Sequence, residues 1–175
     1  MDPTLRTPRL TLRPLAPGDA SETVRLMTPA IARWTGSWIG EETEERVADR
    51  IRHYQETDAR GFAVSRAATL TATGDMLGWM GVRRLDADPT RGSLGYWIGE
   101  AWFGQGYTRE AVRALVPYAF ETLDLRVIEA AAQTANAGSL AVLRGLGMKH
   151  MGQRMEFATA RGAADLCDWF ELARA

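Results

Sequence analysis

Hydrophobic and polar residues follow two different periods along this 175-residue chain. Strict alternation at residues 10–15 predicts a first strand, because successive side chains of a strand point to opposite faces. Asp19, with Glu22 three residues later, is a capping pattern that predicts a helix after it. Apolar residues at helical spacing then predict an amphipathic helix over residues 41–60. The chain therefore begins with a strand followed by two helices.

The remaining elements follow from the same two periods. Three apolar segments separated by turn residues predict an antiparallel meander at residues 62–66, 76–85 and 92–99. Next come, in order, a helix at 106–121, a strand at 127–132, a helix at 137–146 and two strands on either side of 161–162. The predicted order is β-α-α-β-β-β-α-β-α-β-β, an α/β (α+β) fold whose mixed, mostly antiparallel sheet of about seven strands carries helices on both faces. The strand–helix–strand passage predicts that the fourth and fifth strands are parallel neighbours.

Composition narrows the classes of function. The 21 Lys and Arg residues nearly balance the 22 Asp and Glu residues, which gives a net charge of −1 and argues against a nucleic-acid or membrane-surface partner. No signal pattern opens the chain and no apolar run reaches about 18 residues, so we expect a cytoplasmic protein with a single domain over residues 1–175. The lone Cys167 lacks a basic neighbour, and no cluster of metal-ligating residues predicts a metal.

Two glycines one residue apart, Gly104 and Gly106, lie where the fourth strand ends and the next helix begins. Amide N–H groups of a first helical turn, together with the helix dipole, favour an anion such as a pyrophosphate. Two commoner phosphate loops do not fit, because Arg109 replaces the third glycine of a dinucleotide fingerprint and Tyr107-Thr108 replaces the Lys-Ser/Thr pair of a Walker loop. The alternative is that the glycines only end the strand.

These features together resemble a known family. The order of elements, the sequence Gly-Gln-Gly-Tyr-Thr-Arg-Glu-Ala at 104–111 and the sequence Asn-Ala-Gly-Ser at 136–139 are similar to the GNAT superfamily of N-acetyltransferases. The opening segment at 7–13 looks like that of the RimJ/RimL-like branch, which acetylates ribosomal-protein N-termini. The family pattern has Gln or Arg where this chain has Phe103, and Gly or Ala where it has Thr108.

The resemblance implies that acetyl-CoA is the acyl donor and that it lies where the fourth and fifth strands separate. Pantetheine would run along the fourth strand, and backbone amides of the turn would hold the pyrophosphate. Asn136 matches a residue near pantetheine, although an asparagine there is also a good helix N-cap. The residues assigned in this way to the cofactor are Trp97, Ile98, Gly104, Gln105, Gly106, Tyr107, Thr108, Arg109, Asn136 and Ser139.

Acyl transfer to an amine needs an unprotonated nucleophile, a stabilised oxyanion and a departing thiolate. Glu100, beside the turn, is the carboxylate best placed to relay the proton of the amine, although a solvated loop glutamate is the alternative. An amide near Ile98 would stabilise the oxyanion. Ser139 matches a serine that lies near the thioester sulfur in the family, and the resemblance implies that it protonates the thiolate. Many family members use a tyrosine for this step, and none follows at a matching position here. Less favoured bases on or beside a charged helix are Glu41, Glu42 and His53.

Three classes of acceptor or partner fit the sequence. Trp34 and Trp38 fall between the helices that cover the acceptor groove in this family, and core packing is their alternative role. A protein N-terminal α-amine competes with a small amine such as an aminoglycoside, a polyamine or an amino-acid derivative. A third reading, from another class, is a non-catalytic CoA-binding sensor or interaction module. The chain is expected to be a monomer or a homodimer.

Overall fold

The chain forms one open mixed sheet of eight strands and five α-helices in a computed structural model that describes residues 4–174. The strands are β1 (Leu5–Arg6), β2 (Leu10–Pro14), β3 (Ala63–Leu70), β4 (Met76–Arg84), β5 (Arg91–Ile98), β6 (Val127–Gln133), β7 (Lys149–Ala158) and β8 (Ala163–Ala173). The helices are α1 (Asp19–Leu26), α2 (Pro29–Ala32), α3 (Glu44–Ala59), α4 (Tyr107–Thr122) and α5 (Ala137–Gly145). The strand order in the sheet is β1-β2-β3-β4-β5-β6-β8-β7.

The predicted fold class is confirmed, with two additional short elements. Strand β1 has two residues and helix α2 has four, and segments of that length are too short to show a period. Helix α3 begins at Glu44 rather than at residue 41, because the Thr43 side chain accepts a hydrogen bond from the Arg46 amide and so caps the helix there. Among the described residues, no helix is long and apolar enough to span a bilayer.

Strand β5 contributes to both layers of the structure. Leu94 and Ile98 belong to the core cluster that includes α4, whereas Trp97 belongs to a second cluster with residues of α1 and α3. Tyr96 is partly buried and packs against the first cluster. The alternation that predicted the strand therefore also assigns its side chains to the two faces of the sheet.

The parallel pair β5–β6 separates soon after it forms. Its register runs from Arg91 opposite Val127 to Ser93 opposite Glu129 and ends there. Beyond that point β5 stays paired with β4 as far as Ile98, while β6 stays paired with β8 as far as Gln133. Each strand keeps its outer neighbour, so a gap opens between the two carboxyl-terminal halves. The prediction of parallel, adjacent strands is confirmed.

Candidate active site

A cleft of about 930 Å³ passes through the gap between β5 and β6. This volume lies within the range of small-molecule sites, roughly 300–1,000 Å³. Its lining comes from the facing halves of the two strands, the turn after β5, the first turns of α5 and the segment before α3. Most of the residues predicted for the cofactor and acceptor are in that lining: Trp34, Trp38, Trp97, Ile98, Gly104, Gly106, Tyr107, Thr108, Arg109, Asn136 and Ser139.

The turn between β5 and α4 depends on glycine. Gly104 and Gly106 have φ values of +72° and +79°, in the left-handed region that residues with a Cβ adopt only under strain. The amide of Glu110 makes a helical bond to the Gly106 carbonyl at 3.0 Å, so the amides of Tyr107, Thr108 and Arg109 precede the hydrogen-bonded part of α4. Three amide donors at the positive end of a 16-residue helix can bind a phosphate.

Gln105 differs from its neighbours in the turn. Its side-chain amide donates to the Ala101 carbonyl at 2.9 Å, and the residue is not part of the cleft lining. The predicted phosphate contact of Gln105 involves its backbone amide, so the side chain is free to brace the turn from outside.

Thr7 and Arg9 bind Glu110 in the first turn of α4 and hold that turn in place. We call these three residues the Glu110 clamp. One carboxylate oxygen of Glu110 accepts hydrogen bonds from the Thr7 hydroxyl at 2.6 Å and the Arg9 amide at 2.9 Å. The Arg9 guanidinium pairs with the other oxygen at 2.6 Å and lies 4.2 Å from the centre of the Tyr107 ring. Burial opposes the charge of Glu110, but the hydrogen bonds from Thr7 and Arg9 lower its pKa overall. Sequence reasoning missed this clamp, because its partners lie about a hundred positions apart.

Ser139 faces a tyrosine that the sequence analysis did not find. The hydroxyl groups of Tyr96 and Ser139 are 2.8 Å apart, across the gap from β5 to α5. Burial raises the pKa of Tyr96 to about 12, against the opposing effect of the hydrogen bond to Ser139, so the phenol keeps its proton at neutral pH. The Asn136 side chain accepts from the Ser139 amide at 3.1 Å, so this asparagine caps α5 while lining the cleft.

The oxyanion donor predicted near Ile98 faces the open gap. The Gly99 amide donates to the Leu77 carbonyl of β4 at 2.8 Å. Because neighbouring residues of a strand direct their N–H groups to opposite edges, the Ile98 amide points away from β4, toward the side where β6 has separated. A carbonyl oxygen placed in the gap can therefore accept from this amide.

Glu100 lies apart from the other predicted catalytic residue. It starts a short 3-10 helix at Glu100–Trp102, is exposed, and accepts a short hydrogen bond from the Thr28 hydroxyl. It is absent from the cleft lining, whereas Ser139 is part of it. The structure therefore does not bring Glu100 and Ser139 together in one site.

The two predicted acceptor tryptophans lie on one side of the cleft. Trp38 is buried and makes edge contacts with Trp79 and Trp97, with ring centres 4.9 and 5.5 Å apart. It therefore packs in the core and lines the cleft at once. Trp34 belongs to a loop that the β7–β8 turn holds, since the Ala160 amide donates to the Gly36 carbonyl at 3.1 Å.

The electrostatic character of the cleft is unusual for a proton-transfer site. Among residues 4–174, no aspartate, glutamate, lysine or histidine lines it, and its charged members are Arg83 and Arg109. Residues 4–174 also contain no group of three His, Cys, Asp or Glu side chains that could hold a metal ion. A polycation would meet no negative charge in this lining.

The comparisons with known proteins agree with this geometry. Residues 9–149 match the family model described as an acetyltransferase (GNAT) domain. The uncharacterized N-acetyltransferase p20 of Bacillus licheniformis is 27% identical over 160 residues, which cover 91% of this chain and 89% of p20. Because the family model matches most of the chain, the protein belongs to the GNAT family, and it is an acetyl-CoA-dependent N-acetyltransferase.

Solved structures share the fold over nearly the whole chain. An acetyltransferase from Salmonella typhimurium that modifies the N-terminal serine of ribosomal protein L7/L12 superposes with a TM-score of 0.81 at 17% identity, covering 97% of each chain. Mycobacterium smegmatis RimJ, in complex with CoA-disulfide, gives a TM-score of 0.82 at 18% identity, covering 94% of this chain and 81% of RimJ. The predicted likeness to RimJ/RimL-like folds is confirmed.

Replacing Gly106 tests the phosphate turn. Aspartate and asparagine have similar shapes and both tolerate a left-handed backbone, but only aspartate places a negative charge beside the pyrophosphate. We expect Gly106→Asp to bind acetyl-CoA at least about tenfold more weakly than Gly106→Asn, as measured by calorimetry. Both variants should unfold at similar temperatures. Equal affinities would show that the pyrophosphate lies elsewhere.

Proposed function

We propose that this enzyme acetylates the N-terminal α-amine of a polypeptide by direct attack on acetyl-CoA. The observation that carries the proposal is a cleft lining without a carboxylate or histidine among the described residues, and so without a side chain suited to act as base. At pH 7 a lysine amine needs about 4.6 kcal/mol to lose its proton, whereas an α-amine needs only about 1.1 kcal/mol. A site without a base therefore favours the α-amine. Solved relatives that act on ribosomal proteins support this choice.

Acetyl-CoA would extend from the glycine turn after β5 into the gap between β5 and β6. The amides of Gln105, Gly106, Thr108 and Arg109 are assigned to the pyrophosphate, and the Arg109 side chain adds a positive charge in the lining. Pantetheine would lie along the free edge of β5, where Trp97 and Ile98 line the cleft. The small side chains of β6, Ala130 to Ala132, leave room on the opposite wall.

The reacting groups then meet at the middle of the gap. The neutral amine attacks the thioester carbonyl carbon, and the Ile98 amide donates to the oxygen that becomes negative; one such donor is worth about 2.7–4 kcal/mol. When the C–S bond breaks, the Ser139 hydroxyl donates to the departing sulfur. We assign Tyr96 as the donor of the hydroxyl pair, because the serine proton is then free to point toward the cleft. The proton lost by the amine leaves through solvent.

An acceptor assay distinguishes the two candidate classes of substrate, peptide α-amines and small-molecule amines. Peptides with a free α-amine should gain the mass of one acetyl group, while the same peptides with a blocked N-terminus and a free lysine should not. Aminoglycosides and polyamines should react at least about tenfold more slowly, because both are polycations and the lining offers them no negative charge. Acetylation of small amines alone would contradict the proposal. Binding of acetyl-CoA without turnover on any amine would favour the sensor.

The pH dependence tests whether a side-chain base takes part. If the amine attacks unaided, kcat/KM should rise about tenfold per pH unit below the pKa of the peptide amine, near 7.8, and level off above it. Glu100→Gln should then change kcat/KM by less than about threefold at every pH. If Glu100→Gln instead lowers kcat/KM by more than about tenfold and changes the shape of its pH profile, Glu100 is the base.

The hydroxyl pair gives a further expectation. Tyr96→Phe removes one hydrogen bond to Ser139 and should lower kcat about fivefold to tenfold, while the KM for acetyl-CoA stays within about twofold. Ser139→Ala should lower kcat at least as much, and the double variant should be no worse than Ser139→Ala alone. Tyr118→Phe is the matched control, since this phenol bonds Arg66 outside the cleft. Equal losses in both phenylalanine variants would show a purely structural effect.

A further inference from the structure

One face of the sheet forms a shallow groove beside the catalytic gap. Its floor comes from three neighbouring strands, β3, β4 and β5, whose small residues Ala63, Ser65, Gly81, Ser93 and Gly95 line the cleft. The register aligns Ser65 with Gly81 and Gly81 with Gly95, so the small residues form a row across the strands. Trp79 and Trp97 bound this row on the side of the gap.

Gly95 marks where the groove is open. A Cβ built on this residue would have no atom within 4 Å, and its backbone conformation is one that any residue adopts. Gly81 differs, because a Cβ there would lie 2.8 Å from the Val64 carbonyl oxygen. Gly81 is thus required by backbone packing, whereas the absence of a side chain at Gly95 leaves unfilled space above β5. An extended chain could occupy that space.

Positive charge lies at the far end of the groove. Arg83 is opposite Ser93 in the register, and both line the cleft. Its nearest acid is Asp86, at 3.6 Å and with a side chain 97% exposed, and such a pair is worth little. Asp58, behind Ser65, accepts from the Ser65 amide and hydroxyl and pairs with Arg66, so its charge is engaged. Burial raises the pKa of Asp58, although the hydrogen bonds from Ser65 and the pairing with Arg66 act in the opposite direction.

We propose that the acceptor chain lies extended along this groove and carries a carboxylate that pairs with Arg83. The inference rests on the proposed function, since it takes the acceptor to be a polypeptide N-terminus. Ser93 lies four positions before Trp97 in β5, and this corresponds to about 14 Å along the strand. An extended acceptor covers that distance in about four residues. The preferred substrates therefore have Asp or Glu near their fourth position.

A set of matched peptides tests whether an acidic residue of the acceptor pairs with Arg83. Peptides that share an N-terminus but carry Asp, Asn or Lys at position three, four or five are compared by kcat/KM. We expect the Asp peptide to exceed the Asn peptide at least about threefold at one position, and the difference to vanish in about 1 M salt. Arg83→Glu should reverse the order in favour of Lys. Lys149→Glu makes the same change of charge on the distant strand β7 and should leave the order as in the wild type.

Gly95→Leu tests the groove itself. Because a side chain at Gly95 meets open space, the variant should fold and bind acetyl-CoA normally while its KM for peptides rises at least about tenfold. Equal rates for all peptides, or an unchanged KM in Gly95→Leu, would overturn this inference and leave the proposed function intact. If no peptide is acetylated while a small amine is, the proposed function itself fails.

Discussion

The early separation of β5 and β6 is the constraint on which the rest of the site depends. The two strands are held together only at their base, where Arg91 pairs with Glu129 of β6 at 3.0 Å and also with Glu171 of β8. Above that point each strand is committed to its antiparallel partner. Because the strands are parallel, the segments that follow both of them emerge at the same edge of the sheet. The glycine turn after β5 and the capped start of α5 after β6 therefore face each other across the gap.

The parts of the site that depend on local sequence could be predicted from it. The glycine turn, the asparagine cap of α5 and the alternation in β5 are each contained within a few residues, so their patterns are readable without the fold. The Tyr96–Ser139 pair and the Glu110 clamp could not be predicted in this way. Their partners come from separate elements, and only the pairing of the sheet and the docking of α4 bring them together.

Glu100 shows where closeness in sequence misleads. It is next to the glycine turn in the chain, which made it the favoured carboxylate. However, Gly99 ends the strand and the 3-10 turn that follows directs Glu100 toward Thr28 rather than into the cleft. A change of direction over one residue is set by backbone dihedral angles, which residue identity alone does not determine. The role of Glu100 as a base stays a prediction.

In the proposed complex, the two faces of strand β5 contact different substrates. Its even-numbered side chains, including Tyr96, lie on the face with α4 and α5, where the leaving sulfur would meet Ser139. Gly95 and Trp97 lie on the opposite face, where the proposed acceptor groove opens. The acetyl group then has to react at the edge of the strand, beside the amide of Ile98. The carboxylate that lies beside the groove face, Asp58, is bound by Ser65 and Arg66 and is not part of the cleft lining. In the proposed complex, the small residues that would admit an extended acceptor also leave the lining without a carboxylate, which would favour amines that lose their proton near neutral pH.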